Sequence, residues 1–203
     1  MEQVAEAKTR YSLEEYFALE IANRETKYEF LDGEILAMAG AELAHNTICA
    51  NLIREISVAI IKKEKKCRVL TSDQRVRAYR KEENKWGYFY PDVAVVCGTP
   101  ELADTTPKTL LNPSVLIEVL SKSNSTREVM MKLKFYRAID SLSDVLLVDS
   151  ESRFVMHFER VAEGDWLMRS WSSATETITL KAHDITLLMS EIYRDVDFPT
   201  PTA

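Results

Sequence analysis

The sequence predicts an α/β fold, a mixed β-sheet flanked by α-helices, and three observations predict it. Its elements run in the order strands, helix, strands, helix, strands, which a mixed sheet with helices on its faces accommodates. Two short apolar runs, Tyr90-Pro91-Asp92-Val93-Ala94-Val95-Val96 and Val115-Leu116-Ile117-Glu118-Val119-Leu120, read as buried strands. The chain has 203 residues, 46% hydrophobic and 29% charged, the size and composition of one domain with a real core. The expected organisation is a single domain over 1–203 with an ordered core of about 12–196.

The elements follow in order. Ser12-Leu13-Glu14-Glu15 has the spacing of a capping box and opens a short helix with Leu13, Tyr16, Phe17 and Ile21 at helical spacing. Tyr28 to Leu31 and Glu34 to Met38 flank Asp32-Gly33, a hairpin turn signal, with a loop at Gly40 and Ala41. A long helix over about His45 to Lys65 repeats Ile48, Leu52, Ile56 and Ile60. Cys67 to Ala78 reads as one long strand, Lys81 to Lys85 as a charged turn, and Trp86 to Cys97 as the returning strand. Pro91 lacks a ladder donor, so it marks a strand start or bulge just before Asp92.

Gly98 to Pro113, with prolines at 100, 107 and 113, reads as an irregular loop, and Ser114 to Leu120 as a buried strand. Ser125-Thr126-Arg127-Glu128 is a second capping box, opening a helix that reaches about Ile139. Asp144 to Asp149 is an apolar strand, and Phe154 to Glu159 with Trp166 to Trp171 a further hairpin. A short segment near Ile178 and a small helix or turn over Leu187 to Tyr193 follow, and 197–203 reads as a disordered tail.

Composition excludes several classes. No apolar run is long enough to span a bilayer. Met1 to Arg10 is polar and mixed in charge, unlike a signal peptide, so the expected location is the cytoplasm. Cys49, Cys67 and Cys97 are odd in number and widely spaced, which argues against a disulfide framework and a structural zinc site; all three read as small core residues. The net charge of −6 weakens the case for broad nucleic-acid binding without excluding a local basic groove. The one dense basic run, Lys62, Lys63, Lys65, Lys66 and Arg68, reads as a solvated helix end.

The chemistry points to Asp92 and Glu118. A buried carboxylate is costly unless it is paired or binds a metal. One acid in each of two apolar runs therefore suggests neighbouring strands aiming both at one divalent cation, Mg or Mn. Lys132 and Tyr136 stand one turn apart on the helix after Glu118, where Lys132 reaches back toward a phosphate; Lys122 and Lys134 compete with it. His45 begins the long helix and is a further ligand or base. Glu29 and Glu34 flank the Asp-Gly turn, where solvent-facing acids are the simpler reading; Glu29 is carried as an accessory candidate with His45 and Tyr136. Ser121, Ser123 and Ser125 lead into a helix N-terminus, whose free N–H groups attract phosphate. His157 and His183 have no evident partners in the sequence.

The segments Tyr28-Glu29-Phe30-Leu31-Asp32-Gly33-Glu34, His45 with Asn51-Leu52, Tyr90-Pro91-Asp92-Val93, Ile117-Glu118-Val119-Leu120-Ser121, Lys132 with Tyr136, and Leu147-Val148-Asp149 occur in this order. Together they make the chain resemble the Uma-type restriction endonuclease family of the PD-(D/E)XK nuclease superfamily, over about Ser12 to Tyr193. The resemblance implies a restriction-endonuclease-like mixed sheet and metal-dependent hydrolysis of DNA phosphodiester bonds by a metal-activated water. It transfers the metal-binding acids to Asp92 and Glu118. That superfamily carries a lysine two residues after the second acid; here that position is Leu120, and the resemblance moves the lysine to Lys132. His45 falls on the helix that supplies a further polar residue in related nucleases.

The expected function is thus a Mg-dependent endonuclease with DNA as substrate, acting as a homodimer because one site per chain must cut two strands. The dimer surface is expected on the N-terminal hairpin or on the hairpin carrying Trp166 and Trp171. A non-catalytic nucleic-acid-binding or partner-binding protein on the same fold is the alternative, favoured by the acidic charge. A glycosidase would need a carboxylate pair in an aromatic-lined cleft, for which the sequence has no signal. Lys132→Ala is expected to leave folding nearly intact.

Overall fold

The computed structural model describes residues 10–38, 40, 42–103 and 108–198. Residues 1–9, Ala41, Pro107 and the end of the tail, 199–203, on which some of the expectations fell, lie outside the described residues.

Helix α1 (Leu13–Ala22) opens on the expected capping box. Ser12 Oγ accepts the Glu15 N–H at 3.3 Å, and the Glu15 carboxylate accepts the Ser12 N–H at 2.8 Å. Strands β1 (Tyr28–Leu31) and β2 (Glu34–Ala37) form a hairpin. Its turn residues Asp32 and Gly33 have φ of +49° and +92°, the mirror-image turn that matches strand twist and suits Asp-Gly. Helix α2 (Leu43–Lys62) follows.

The next two strands were expected to be continuous, and the structure divides each. Cys67–Thr71 is β3 and Arg75–Arg80 is β4; Lys85–Phe89 is β5 and Val93–Cys97 is β6. β4 pairs with β5, and β3 with β6. The four are one long antiparallel hairpin bent in the middle, with its outer turn at Lys81–Glu83. The bend falls at Ser72-Asp73 on one arm and at Tyr90-Pro91-Asp92 on the other. Pro91 supplies the reason on the second arm: with no N–H it cannot continue a ladder.

The two halves enter different sheets. One sheet has the order β2-β1-β5-β4-β8-β7, where β7 (Leu102–Ala103) and β8 (Thr109–Leu110) lie in the segment expected to be irregular. The other has the order β12-β11-β10-β9-β6-β3, with β9 (Val115–Leu120), β10 (Asp144–Asp149), β11 (Val155–Ala162) and β12 (Asp165–Trp171). β9 and β10 run parallel, connected through helix α3 (Thr126–Tyr136), and the other pairings of that sheet are antiparallel. The segment near Ile178 is a small hairpin, β13 (Thr177–Leu180) and β14 (Ile185–Leu188), ending in the short α4 (Met189–Ile192).

Period-two alternation gives the second sheet two buried faces. Val93, Val95, Val115, Ile117 and Val119 pack against Ile48, Leu52 and Ile56 of α2 and against the β13–β14 hairpin. Ala94, Val96, Leu116, Val145 and Leu147 face α3 and the first sheet through Leu133, Phe135, Val76 and Phe89. A third cluster, Tyr16, Phe30 and Tyr88, seats α1. Arg75 is fully buried there, its guanidinium 3.0 Å from Glu20 and donating to Thr109 Oγ1 at 2.9 Å.

Two further expectations are corrected. Cys67 and Cys97, read as independent core residues, face each other across β3 and β6 and form a disulfide; Cys49 is free. Phe198, placed in the disordered tail, packs its ring 5.5 Å from that of Tyr193. No helix among the described residues is long and apolar enough to cross a membrane.

Candidate active site

The site grows out of the bend in the long hairpin. At Tyr90-Pro91-Asp92 the chain leaves the first sheet for the second, so the local backbone loses its ladder partners. Acidic side chains take over. Glu29 Oε1, from β1, accepts the Tyr90 N–H at 3.0 Å. Asp92 Oδ2 accepts the Val119 N–H of β9 at 2.8 Å. Because β6 and β9 pair with Val93 opposite Ile117, Asp92 stands one register step further, opposite Glu118. The two acids are cross-strand neighbours.

Glu118 is buried and points to the α3 side of its sheet. Tyr136 donates its O–H to Glu118 Oε1, and Lys132 Nζ lies 3.3 Å from Glu118 Oε2. The same amine is 2.8 Å from Glu29 Oε2. Lys132 thus bridges two buried carboxylates, although its own side chain is only 9% exposed. Lys134, two positions on, is exposed, and Lys122 pairs with Glu151 at 2.8 Å. Leu120 packs into the core.

His45 stands in the first turn of α2, its Nε2 3.3 Å from Asp92 Oδ2 and its Nδ1 3.6 Å from Cys49 Sγ. Asp92 Oδ1 takes no hydrogen bond from the described residues. Glu29, for which a solvent-facing place was the simpler reading, is 2% exposed. Glu34 does face outward, where Arg127 grips it with two hydrogen bonds.

The electrostatics follow from burial and like charge. Burial, with the neighbouring Glu29 and Asp92 charges, pushes the Glu118 carboxyl up to about 7, while Lys132 pulls the other way. For Lys132, burial alone would depress the amine; the Glu118 and Glu29 charges override it and hold the amine protonated, well above its usual range. The hydrogen bond to Asp92 raises His45. Burial, then the Glu118 charge, raises Tyr136, so its hydroxyl keeps its proton.

Glu29, His45, Asp92, Glu118 and Lys132 line one groove of about 920 Å³. It lies between the β1–β2 hairpin, the start of α2 and the turn leading into α3. Lys27, Ser121 and Asn124 also line it. The dense basic run does not: Lys62 to Arg68 lies exposed at the opposite end of α2, whose last residue is about 25 Å along the helix from His45. His157 and His183 are also remote, and each has a partner the sequence did not reveal, Asp144 at 2.6 Å and Ser143 at 2.8 Å.

Comparisons agree with this architecture. A family model named Uma2, described as "Putative restriction endonuclease", matches residues 13–189. An uncharacterized protein of Synechocystis sp. is 35% identical over 142 residues, 70% of this chain and 77% of its own length. A second uncharacterized protein of the same organism is 29% identical over 189 residues, 93% of this chain and 94% of its own. A crystal structure described as a "putative nuclease belonging to DUF820" from Anabaena variabilis superposes with a TM-score of 0.64 at 14% identity, covering 82% of this chain and 89% of that one. At that identity the likeness speaks for the fold. With a family match across residues 13–189, the chain belongs to the Uma2 family, described as "Putative restriction endonuclease".

Proposed function

We propose that the chain is a divalent-metal-dependent endonuclease that hydrolyses phosphodiester bonds of DNA, with Asp92 and Glu118 as metal ligands and Lys132 as the cation at the scissile phosphate. What supports this reading is the bridge made by Lys132 between Glu29 and Glu118, set in the groove beside Asp92.

The donor set fits a hard cation. Asp92, Glu118 and Glu29 bring three carboxylates against one lysine, and Asp92 Oδ1 has no donor among the described residues. Carboxylate oxygens are the ligands magnesium and manganese prefer. Such an ion, when bound, supplies Lewis acidity that lowers the pKa of a water and offsets phosphate charge.

The protein's own residues do the positioning. Tyr136 donates to Glu118 and fixes its rotamer. Lys132 has three N–H donors and uses two on Glu29 and Glu118, which leaves one for a phosphate oxygen as charge builds there. His45 holds a proton beside Asp92 and orients that carboxylate. The N-terminus of α3 offers backbone N–H groups to a neighbouring phosphate.

Cutting both strands of a duplex with one site per chain calls for a homodimer, and the whole chain acts as one domain within it. Trp166 and Trp171 of the C-terminal hairpin are half-buried against their own core, and Leu167 and Met168 on the outer strand β12 are exposed. The decisive experiment is plasmid nicking with Mg2+ or Mn2+ by the wild type, Asp92→Asn and Glu118→Gln. Metal-dependent nicking lost in both variants supports the reading; equal nicking in all three overturns it.

A non-catalytic nucleic-acid-binding protein on this fold is the second reading. The net charge of −6 and the placement of the basic run away from the groove favour it. It predicts retention of a DNA duplex in a gel-shift assay with no cleavage at any metal concentration.

A further inference from the structure

At the far end of the second sheet lies a cluster that the endonuclease reading does not use. Cys67 of β3 and Cys97 of β6 are directly opposed. The Gly98 N–H donates to the Lys66 carbonyl at 2.7 Å, which makes the Cys67–Cys97 pair a non-hydrogen-bonded one, the kind whose side chains approach most closely. His183 reaches this pair from the short turn Lys181–His183 between β13 and β14. Its Nδ1 is 3.5 Å from Cys97 Sγ, and the three donor atoms lie within 4.8 Å of one another.

The protons around His183 can be assigned. Ser143 Oγ is 2.6 Å from Asp144 Oδ2, 3.0 Å from the Ser114 carbonyl and 2.8 Å from His183 Nε2. A hydroxyl has one proton, and both the carboxylate and the carbonyl can only accept. The Ser143 proton therefore goes to one of them, and its oxygen accepts from His183 Nε2–H. That leaves Nδ1 as a bare lone pair aimed at the cysteine sulfurs. Asp144 is in turn held by His157 at 2.6 Å. An imidazole whose far N–H is tied through a hydroxyl to a buried carboxylate has the outer-shell support of a metal ligand. In the disulfide, Cys97 has no proton for that lone pair.

From this geometry we infer that Cys67, Cys97 and His183 form a zinc site when the cysteine pair is reduced, with solvent as the fourth ligand. Two thiolates and one imidazole are a zinc donor set, and two sulfurs on one tetrahedral zinc, each about 2.3 Å from it, sit less than about 4 Å apart. An opposed pair in adjacent strands meets that spacing. The site is separate from the groove: Cys97 stands five residues from Asp92 along β6, about 17 Å.

A dithiol reductant attacks the Cys67–Cys97 bond by exchange and leaves as its own disulfide, and its two electrons go to the cysteine sulfurs. Each resulting thiol gives its proton to solvent as zinc binds. A small-molecule disulfide, by exchange, takes the two electrons and becomes two thiols, which returns the Cys67–Cys97 bond and expels the metal. All three ligands are partly solvent-accessible, so metal and reductant can reach them.

The test uses the full chain carrying Cys49→Ser, which removes the thiol near Asp92. The protein is reduced with a phosphine, desalted without air and titrated with Co2+ as the spectroscopic probe. The expected result is a thiolate-to-metal absorption band, contributed by one cobalt per chain, that Zn2+ abolishes. Cys97→Ser should lose the band, His183→Ala should weaken cobalt at least about tenfold, and Asp92→Asn should keep it. No thiolate band in the reduced protein, a band surviving Cys97→Ser, or unchanged affinity in His183→Ala overturns the inference. Should either variant fail to fold by circular dichroism, zinc protection of Cys67 and Cys97 from alkylation decides in the otherwise native chain, and absence of protection overturns it.

Discussion

Glu29 Oε1 accepts the backbone N–H of Tyr90, the residue just before the proline that ends β5, while its second oxygen holds the Lys132 amine. One side chain thus ties the bend in the hairpin to the cation of the site. Glu29→Gln keeps an acceptor for Tyr90 and removes the charge beside Lys132. Glu29→Leu removes both. The glutamine variant is expected to keep most of its stability and lose cleavage. The leucine variant is expected to lose about 1–3 kcal/mol, the cost of an unsatisfied buried donor. Urea unfolding of the two variants, read beside plasmid nicking, checks the split.

Lys132 is more deeply embedded than its sequence position implied. Lys132→Ala was expected to leave folding nearly intact, but it strands Glu29 and Glu118 as buried acids without their cation. Removing one partner of a buried pair costs about 3–5 kcal/mol, so the variant is expected to unfold at much lower urea concentration. Mn2+ should restore part of that loss. Under conditions where it is folded, its cleavage rate should fall by about two to three orders of magnitude. Lys134→Ala, on the exposed face of α3, should match wild type in both measurements.

The Glu118 carboxyl, pushed up to about 7 by burial, makes two pH predictions. Its folded-state pKa lies above the ordinary glutamate value of 4.5, so the unfolded chain gives up this proton first. Stability from this group is complete below about 4.5 and declines as pH rises to about 7. Metal binding has the opposite dependence, since a ligand must be deprotonated. Calorimetric titration with Mn2+ should show affinity rising with pH up to about 7 and levelling above it. Affinity independent of pH between 6 and 8 would exclude Glu118 as a ligand.

Gly87, in β5, has Phe135 and Phe89 packed where a side chain would go. A methyl group there would lie 2.8 Å from Phe135 Cδ1 and closer still to the Phe89 ring. Gly87→Ala is expected to destabilise by about 1–3 kcal/mol through overpacking. Thermal melting measures it, and a melting point equal to wild type would refute the packing argument.

Local signals in the sequence marked much of this molecule. The Ser12 capping box, the Asp32-Gly33 turn and the four-residue rhythm of Ile48, Leu52, Ile56 and Ile60 act within one element, and the structure keeps them. Asp92 and Glu118 stand out in the sequence because a lone acid in an apolar strand is costly without a partner or a metal, and Lys132 because it follows Glu118 on the next helix. Glu29 does not stand out, because strand β1 is covered on both faces and alternation there does not reveal which side meets water. Arg75 and Glu20 are joined across 55 positions, beyond any local pattern. The cysteine pair did leave a trace. The register beside the outer turn, Arg80 opposite Lys85, would set Cys67 opposite Gly98 if carried along both arms, and the bend shifts it by one residue to Cys97, so the trace is only approximate.

The bent hairpin has a consequence for how the molecule comes apart. Its outer half supplies β4 and β5 to one sheet, and its inner half supplies β3 and β6 to the other. Neither sheet is a separable module, because melting either one pulls on strands continuous with its neighbour. The acids at the elbow are assembled only when both sheets are. Loss of the groove's geometry and loss of global structure should therefore be a single event along a denaturant or temperature ramp, with no intermediate that keeps the fold but has dispersed its carboxylates.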